Sequence, residues 1–207
     1  MDLTPLQMDA VVELMNIGIG KAASTLNQLV NTHVTLTVPS VRVMTSEQAR
    51  QELGQAAKER VSAVQLSFSG KLSGSTAIFF SPENALKLAN VLVGGDQDNQ
   101  DMDSLKIGTL IEVGNILLNG VVGSISNIIG EHVGFSVPTY EEGIAHEIMT
   151  ATLSGSDKIV VLAETKFSIE KHHLQGETIA LLEMESFAML LEAIDKMIAS
   201  RPGDRVE

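Results

Sequence analysis

A polar motif is written twice in this chain at a constant offset, and that offset constrains the architecture more than any other feature. Glu13, Asn16 and Pro39 recur as Glu112, Asn115 and Pro138, each 99 positions later. Glutamate precedes asparagine by three residues, and asparagine precedes proline by 23, in both copies. The same offset pairs Ile17 with Ile116, His33 with His132, Val34 with Val133, Val38 with Val137 and Phe68 with Phe167. The segment 74–80 then matches 176–182 at an offset of 102. The three added residues are predicted to sit in a hairpin turn around His172, His173 and Leu174, where insertions cost little. Two copies of about 100 residues fall short of a solenoid, which needs about three. They predict two half-domains sharing one core about a pseudo-two-fold axis.

Both motifs lie in stretches with helical periodicity. A Glu and an Asn three residues apart project from the same helix face, one turn apart. At about 100° per residue, Asp9, Glu13, Asn16, Gly20, Ser24, Asn27 and Asn31 fall within roughly 80° of arc. The second stripe is Gly108, Glu112, Asn115, Asn119, Gly123, Ser126 and Gly130. Apolar residues border both stripes. Each helix is therefore expected to be packed on most of its circumference, with one thin polar ridge left open. Small residues such as Gly20 keep the ridge low, so that another protein could approach it. The same stripe would also arise as the solvated edge of a core helix.

Composition fits one soluble domain. A chain of 207 residues can bury a sizeable core. It has no Cys and no Trp, which excludes disulfides, thiol catalysis and cysteine metal sites. A net charge of −12 offers no basic footprint for nucleic acid. The start, Met-Asp-Leu-Thr-Pro, lacks the basic and apolar regions of a secretory signal, so a cytoplasmic protein is expected. Residues 107–130 carry a single charge, Glu112, and come close to a membrane-span composition. The glycines, three asparagines and the more polar twin at 5–31 argue for a buried central helix and no membrane.

Thr4, Pro5 and Gln7 form a helix-start signature. The expected order is helix 5–31, strand 33–44 interrupted at Pro39, short polar helix 46–59, strands 61–71 and 74–81, and a helix to about 93. It repeats as helix 104–130, strand 132–139, an irregular or helical segment 140–153, strands 157–170 and 176–183, and helix 185–199. The predicted fold is α+β: two α-β-β-β-α halves sharing a six-stranded mixed or antiparallel sheet, with the two motif helices on one face or edge. One domain should span 1–207, as repeat 4–95, acidic linker 96–103, repeat 104–199 and a flexible tail 200–207.

Other constellations carry less. The run 94–103 is acidic but lacks the glycine and glutamate of a calcium loop. His146-Glu147 has no second histidine, so no zinc-hydrolase helix follows. No glycine-rich loop fits a nucleotide, and no metal site is expected.

The spacing Asp9-x3-Glu13-x2-Asn16-x22-Pro39 resembles the Asp/Ser-x3-Glu-x2-Asn-x22-Pro signature of the CheC, CheX and FliY phosphatases of bacterial and archaeal chemotaxis. Asn16-Ile17-Gly18-Ile19-Gly20-Lys21-Ala22-Ala23 is similar to the continuation of that motif, and two copies resemble CheC more than CheX, which carries one. The second copy departs by starting with Gly108 in place of Asp or Ser. The resemblance implies hydrolysis of the aspartyl phosphate of a CheY-type receiver domain. Asn16 and Asn115 would orient the attacking water, and Glu13 and Glu112 would pair with the receiver's lysine. Asp9 and Gly20 would face the partner. The protein would need no cofactor of its own, because the receiver holds Mg²⁺. A CheD-like deamidase is a further partner the family allows. The alternative from another class is a docking module for a receiver or flagellar switch component that does not hydrolyse, as in FliM-type relatives lacking the Glu/Asn pair. A small-molecule site is disfavoured by the scarcity of aromatic residues.

Overall fold

The computed structural model describes residues 3–29, 33–56, 58–93, 100–153, 158–169 and 172–200. The chain runs α1 (Pro5–Leu29), β1 (Val34–Thr45), α2 (Ser46–Ala56), β2 (Arg60–Gly70), β3 (Gly74–Phe80) and α3 (Pro82–Val93). The second half follows as α4 (Gln100–Ile129), β4 (Val133–Phe135), β5 (Thr139–Ile144), α5 (Ala145–Thr152), β6 (Lys158–Ile169), β7 (His172–Glu183) and α6 (Met184–Ser200).

Local chemistry sets the helix starts. Gln7 N–H donates to Thr4 Oγ1 at 3.2 Å and Thr4 N–H donates to Gln7 Oε1 at 3.0 Å. This reciprocal pair satisfies two donors that the first turn of α1 cannot satisfy itself. Thr45 and Gln48 repeat the device at α2, at 3.2 and 2.9 Å.

All strand pairs are antiparallel, in the order β1-β6-β7-β3-β2, with β4 and β5 both on the outer side of β2. If β1 is exchanged with β4 and β5, β2 with β6, and β3 with β7, the order reads the same from the other edge. Side chains alternate between faces. Val64, Leu66, Phe68, Ile78, Phe80, Ile159 and Val161 join the core under α1, α3, α4 and α6. Ala63, Ala77, Phe79, Val160 and Leu162 pack on the opposite side, with Ala49 of α2 and Ile148, Met149 and Leu153 at α5.

Two expectations change. The sheet has seven strands: the strand read at 132–139 shortens to β4 at 133–135, and a further strand, β5 at 139–144, takes up the start of the segment read as irregular or helical. Of the two arrangements expected, mixed or antiparallel, the sheet takes the antiparallel one. His172, His173 and Leu174 belong to β7, paired with Ile169, Ser168 and Phe167, and are not a turn. In addition, α4 begins at Gln100, inside the segment read as linker; residues 94–99 and 201–207 lie outside the described residues.

The prolines account for the split. Along β1 the pairing steps from Thr37↔Lys166 to Ser40↔Glu164, so the strand carries one extra residue at Val38–Pro39. Along the other edge it steps from Phe68↔Phe135 to Gln65↔Thr139, one extra residue around Pro138. Proline has no N–H to give a ladder and is tolerated at such bulges. β1 stays continuous through its bulge. At Pro138 pairing lapses, and Ser136 bridges the gap by donating N–H to Ser67 O at 2.9 Å while its hydroxyl accepts Ser67 N–H at 2.9 Å.

The end of α1 is tied to β1 by one side chain. Asn27 Nδ2 donates to Val34 O at 2.8 Å, and Val34 N–H donates to Asn27 Oδ1 at 2.6 Å. Asn27→Ala leaves both Val34 groups without that partner. A loss of about 1–3 kcal/mol for the two bonds is expected, which thermal unfolding would register as a fall of roughly 2–4 °C per kcal/mol. An unchanged Tm would show that water replaces the side chain at no cost.

Candidate functional site

The two motif helices cross backbone to backbone. A Cβ built on Gly18 would lie 2.7 Å from Val121 Cα and 2.8 Å from Gly120 O. One built on Gly120 would lie 2.6 Å from Gly18 O. No side chain fits between α1 and α4 at this point, so glycine is required on both. Asn16 precedes Gly18 by two residues, which at about 100° each turns it to the far side of α1. The packed face and the polar ridge are thus back to back on the same helix.

Along the first ridge Asp9, Glu13, Asn16, Gly20 and Ser24 are all exposed. Gly20 has nothing within 4 Å of the place where a Cβ would stand. The exposed face of α1 is wider than the predicted stripe, since Ile17, Lys21, Thr25 and Gln28 are exposed as well. Asn16 makes no side-chain hydrogen bond among the described residues, and its amide is free to turn.

The second ridge is more deeply set. Gly108 and Glu112 are exposed, Asn115 and Asn119 are half-buried, and Ser126 is buried. The cause lies beside the motif: a Cβ on Gly114 would stand 2.5 Å from Val64 Cγ1, so glycine there lets α4 settle directly on β2. Asn119 Nδ2 donates to Asn115 Oδ1 at 2.7 Å. The carbonyl oxygen of Asn119 is buried without a partner. By length and composition Ser104–Ile129 could cross a membrane. Here it is packed against α1, α3, α6 and the sheet, as a core helix.

The structure therefore leaves the Glu and Asn of both copies at least partly accessible, each pair on one helix face. Pro39 and Pro138 sit in the bulges and not on the ridges. One repeated feature escaped the sequence reading: Leu6 and Leu105, also 99 apart, are both exposed. Each stands seven residues before its glutamate, on the same face two turns earlier. The constant offset was the signal that could have found them.

Elsewhere chemistry is sparse. Tyr140 donates its phenol O–H to Glu142, and its oxygen lies 3.3 Å from the Ser62 hydroxyl. Burial, with the bond to Glu142, pushes its phenol up to about 12. Among the described residues no group of three or more His, Cys, Asp or Glu is placed to hold a metal ion.

Comparison with known proteins bears on these ridges. The model of the CheC-like family matches residues 6–43, which include the whole first motif. The CheY-P phosphatase CheC of Bacillus subtilis is 26% identical over 196 residues, covering 91% of this chain and 93% of the relative. The flagellar motor switch phosphatase FliY of the same organism is 25% identical over the full chain, which spans about half (53%) of that longer protein. The crystal structure of Thermotoga maritima FliY superposes with a TM-score of 0.73 at 21% identity, covering 95% of this chain and 99% of that one. The chain is thus similar to the CheC and FliY phosphatases along most of its length, and its Glu/Asn pairs sit on the two long helices that cross at Gly18 and Gly120.

Proposed function

We propose that this protein hydrolyses the aspartyl phosphate of a CheY-type receiver, using the α1 and α4 ridges. The observation that carries the reading is the exposed Glu13/Asn16 pair on a low, glycine-lined helix face, written again at Glu112/Asn115. In this reading water attacks phosphorus in line, the bond from phosphorus to the receiver's aspartate oxygen breaks, and inorganic phosphate leaves with the water's proton. The receiver supplies Mg²⁺ and a lysine for the phosphoryl charge, so the phosphatase has only to place the water. A carboxamide oxygen accepts a hydrogen bond from that water without competing as a base. The glutamate, one turn earlier, pairs with the receiver's lysine and sets the register. Leu6 and Leu105 would add an apolar contact at the N-terminal end of each ridge. A CheX of Borrelia burgdorferi with a similar fold (TM-score 0.50, 21% identity, 80% of this chain and 96% of that one) is known bound to CheY with BeF₃ and Mg²⁺. No observation here supports a CheD-like partner.

The palindromic strand order, the paired bulges and the constant offset support two halves related by a pseudo-two-fold. The fold by itself does not separate hydrolysis from docking. A FliM middle domain of Helicobacter pylori superposes at a TM-score of 0.61 with 14% identity, covering 92% of this chain and 99% of that one. Retention of Glu and Asn in both copies favours hydrolysis. The deciding experiment follows decay of a phosphorylated CheY-type receiver with Mg²⁺, with and without this protein. Faster release of inorganic phosphate supports the reading; binding without acceleration supports the docking module.

The two sites should differ in affinity. Asp9 offers the first ridge a carboxylate where the second has Gly108. A charged hydrogen bond to the receiver is worth about tenfold or more in affinity. In an Asn115→Ala background, Asp9→Ala should therefore raise KM by about that factor while kcat holds. An unchanged KM would show that Asp9 does not touch the receiver.

A further inference from the structure

We infer that Asn119 restrains the second site by holding the Asn115 amide, so that the chain carries one fast and one slow site. This rests on the phosphatase reading above, in which the asparagine oxygen must accept a hydrogen bond from the attacking water. Asn119 lies one turn beyond Asn115, and its amide donates to Asn115 Oδ1 at 2.7 Å. That is the one side-chain bond Asn119 makes among the described residues, and its own carbonyl oxygen stays buried and unpartnered. The donation takes one of the two lone pairs on Asn115 Oδ1 and aims that oxygen along the helix toward residue 119. The Asn115 NH₂ group is turned the other way, and a donor cannot accept a hydrogen bond from the water. The second lone pair can meet a water only along the direction that the Asn119 bond imposes, so turning the oxygen to a water held elsewhere by the receiver requires that bond to break.

The first copy shows the contrast. Gly20 stands where Asn119 does, 99 positions earlier, and offers no side chain. Asn16 is exposed and unrestrained, and can turn its oxygen toward whatever docks. A Cβ at Gly20 meets nothing within 4 Å, so a side chain can be started there without a clash at its root. The restraint can therefore be removed from one site and installed in the other.

The test uses the full chain and a CheY-type receiver charged with acetyl phosphate, and reads kcat and KM for phosphate release together with thermal unfolding. In an Asn16→Ala background, where the second site alone is intact, Asn119→Ala should raise kcat by about threefold to tenfold with KM unchanged. In an Asn115→Ala background, Gly20→Asn should lower kcat by a similar factor, and by more than Gly20→Ala, which adds the Cβ without the amide. A purely structural Asn119 would shift the unfolding temperature and leave kcat per folded molecule alone. If Asn119→Ala leaves kcat unchanged or lowers it, Asn119 does not restrain the site, and the inference is overturned. The Asn115→Ala protein still reports on the phosphatase reading in that case, since its first site is untouched. If Asn119→Ala does not fold, Gly20→Asn decides alone: no loss of kcat overturns the inference. If no form of the protein speeds phosphate release, both readings fall together.

Discussion

Asn16→Ala combined with Asn115→Ala is expected to remove the acceleration of receiver dephosphorylation while leaving the protein folded and able to bind. Neither side chain supports the core: Asn16 is exposed and Asn115 is half-buried, with its amide bonded to Asn119 alone. Alanine is the better helix former at both positions, but Asn115→Ala also removes the one side-chain partner of Asn119, so a modest fall in Tm is expected from that site. On the phosphatase reading, what is lost is the group that holds water in line, and mispositioning of a reactant costs roughly 100-fold or more. The expected profile is a kcat/KM lower by at least that factor, a receiver affinity within a fewfold of the original, and a cooperative unfolding curve. Full activity in a folded double variant would make both asparagines structural and end the enzymatic reading. Lost binding with an intact fold would assign them to docking.

A second large effect is expected where no functional side chain is present. Gly18→Ala and Gly120→Ala each place a methyl group within 2.6–2.8 Å of backbone atoms of the facing helix. Backbone cannot swing aside as a side-chain end can, so the helices must separate. Overpacking of this kind costs about 1–3 kcal/mol, and against backbone the upper end is expected. The opposing gain in helix propensity is at most about 1 kcal/mol. Destabilisation wins. Gly123, one turn beyond Gly120 on the same helix, has nothing within 4 Å of its Cβ position. There the propensity gain stands alone, and Gly123→Ala should stabilise by up to about 1 kcal/mol. Thermal or urea unfolding of the three variants measures both signs in one experiment. If Gly18→Ala and Gly123→Ala move Tm in the same direction, the crossing is looser than its geometry indicates.

Much of this was legible in the residues. The capping threonine, the amphipathic helices, the hairpins and the duplicated Glu/Asn pairs follow from local periodicity and spacing, which a linear sequence records directly. The packing of the central helix against the sheet follows from its apolar content, whereas 140–153, read as irregular or helical, is a strand to Ile144 and a helix only from Ala145. The facts that escaped are pairwise and distant. Residues 132–139 alternate as one strand, but whether pairing survives a proline depends on the neighbouring strand. It survives at Pro39 beside β6 and lapses at Pro138 beside β2. Gly18 sits in the motif run beside Gly20 and reads alike there; only the position of α4 makes one indispensable and leaves the other open. The bond between Asn115 and Asn119 was implicit in their spacing of four. That both are half-buried depends on how far α4 sinks onto Val64, which Gly114 decides.

The glycine crossing also fixes how the ridges respond to force. Where two helices are separated by side chains, a partner pressing on one can be accommodated by rotamer changes in the layer beneath. Between Gly18 and Gly120 there is no such layer, and main chain rests on main chain. The ridge carrying Asn16 is therefore mounted on an incompressible support, and α1 cannot yield inward when another surface is pushed against it. In any complex formed on this face, compliance must be supplied from the other side. The incoming loops must adapt to the helix, which acts as a fixed template.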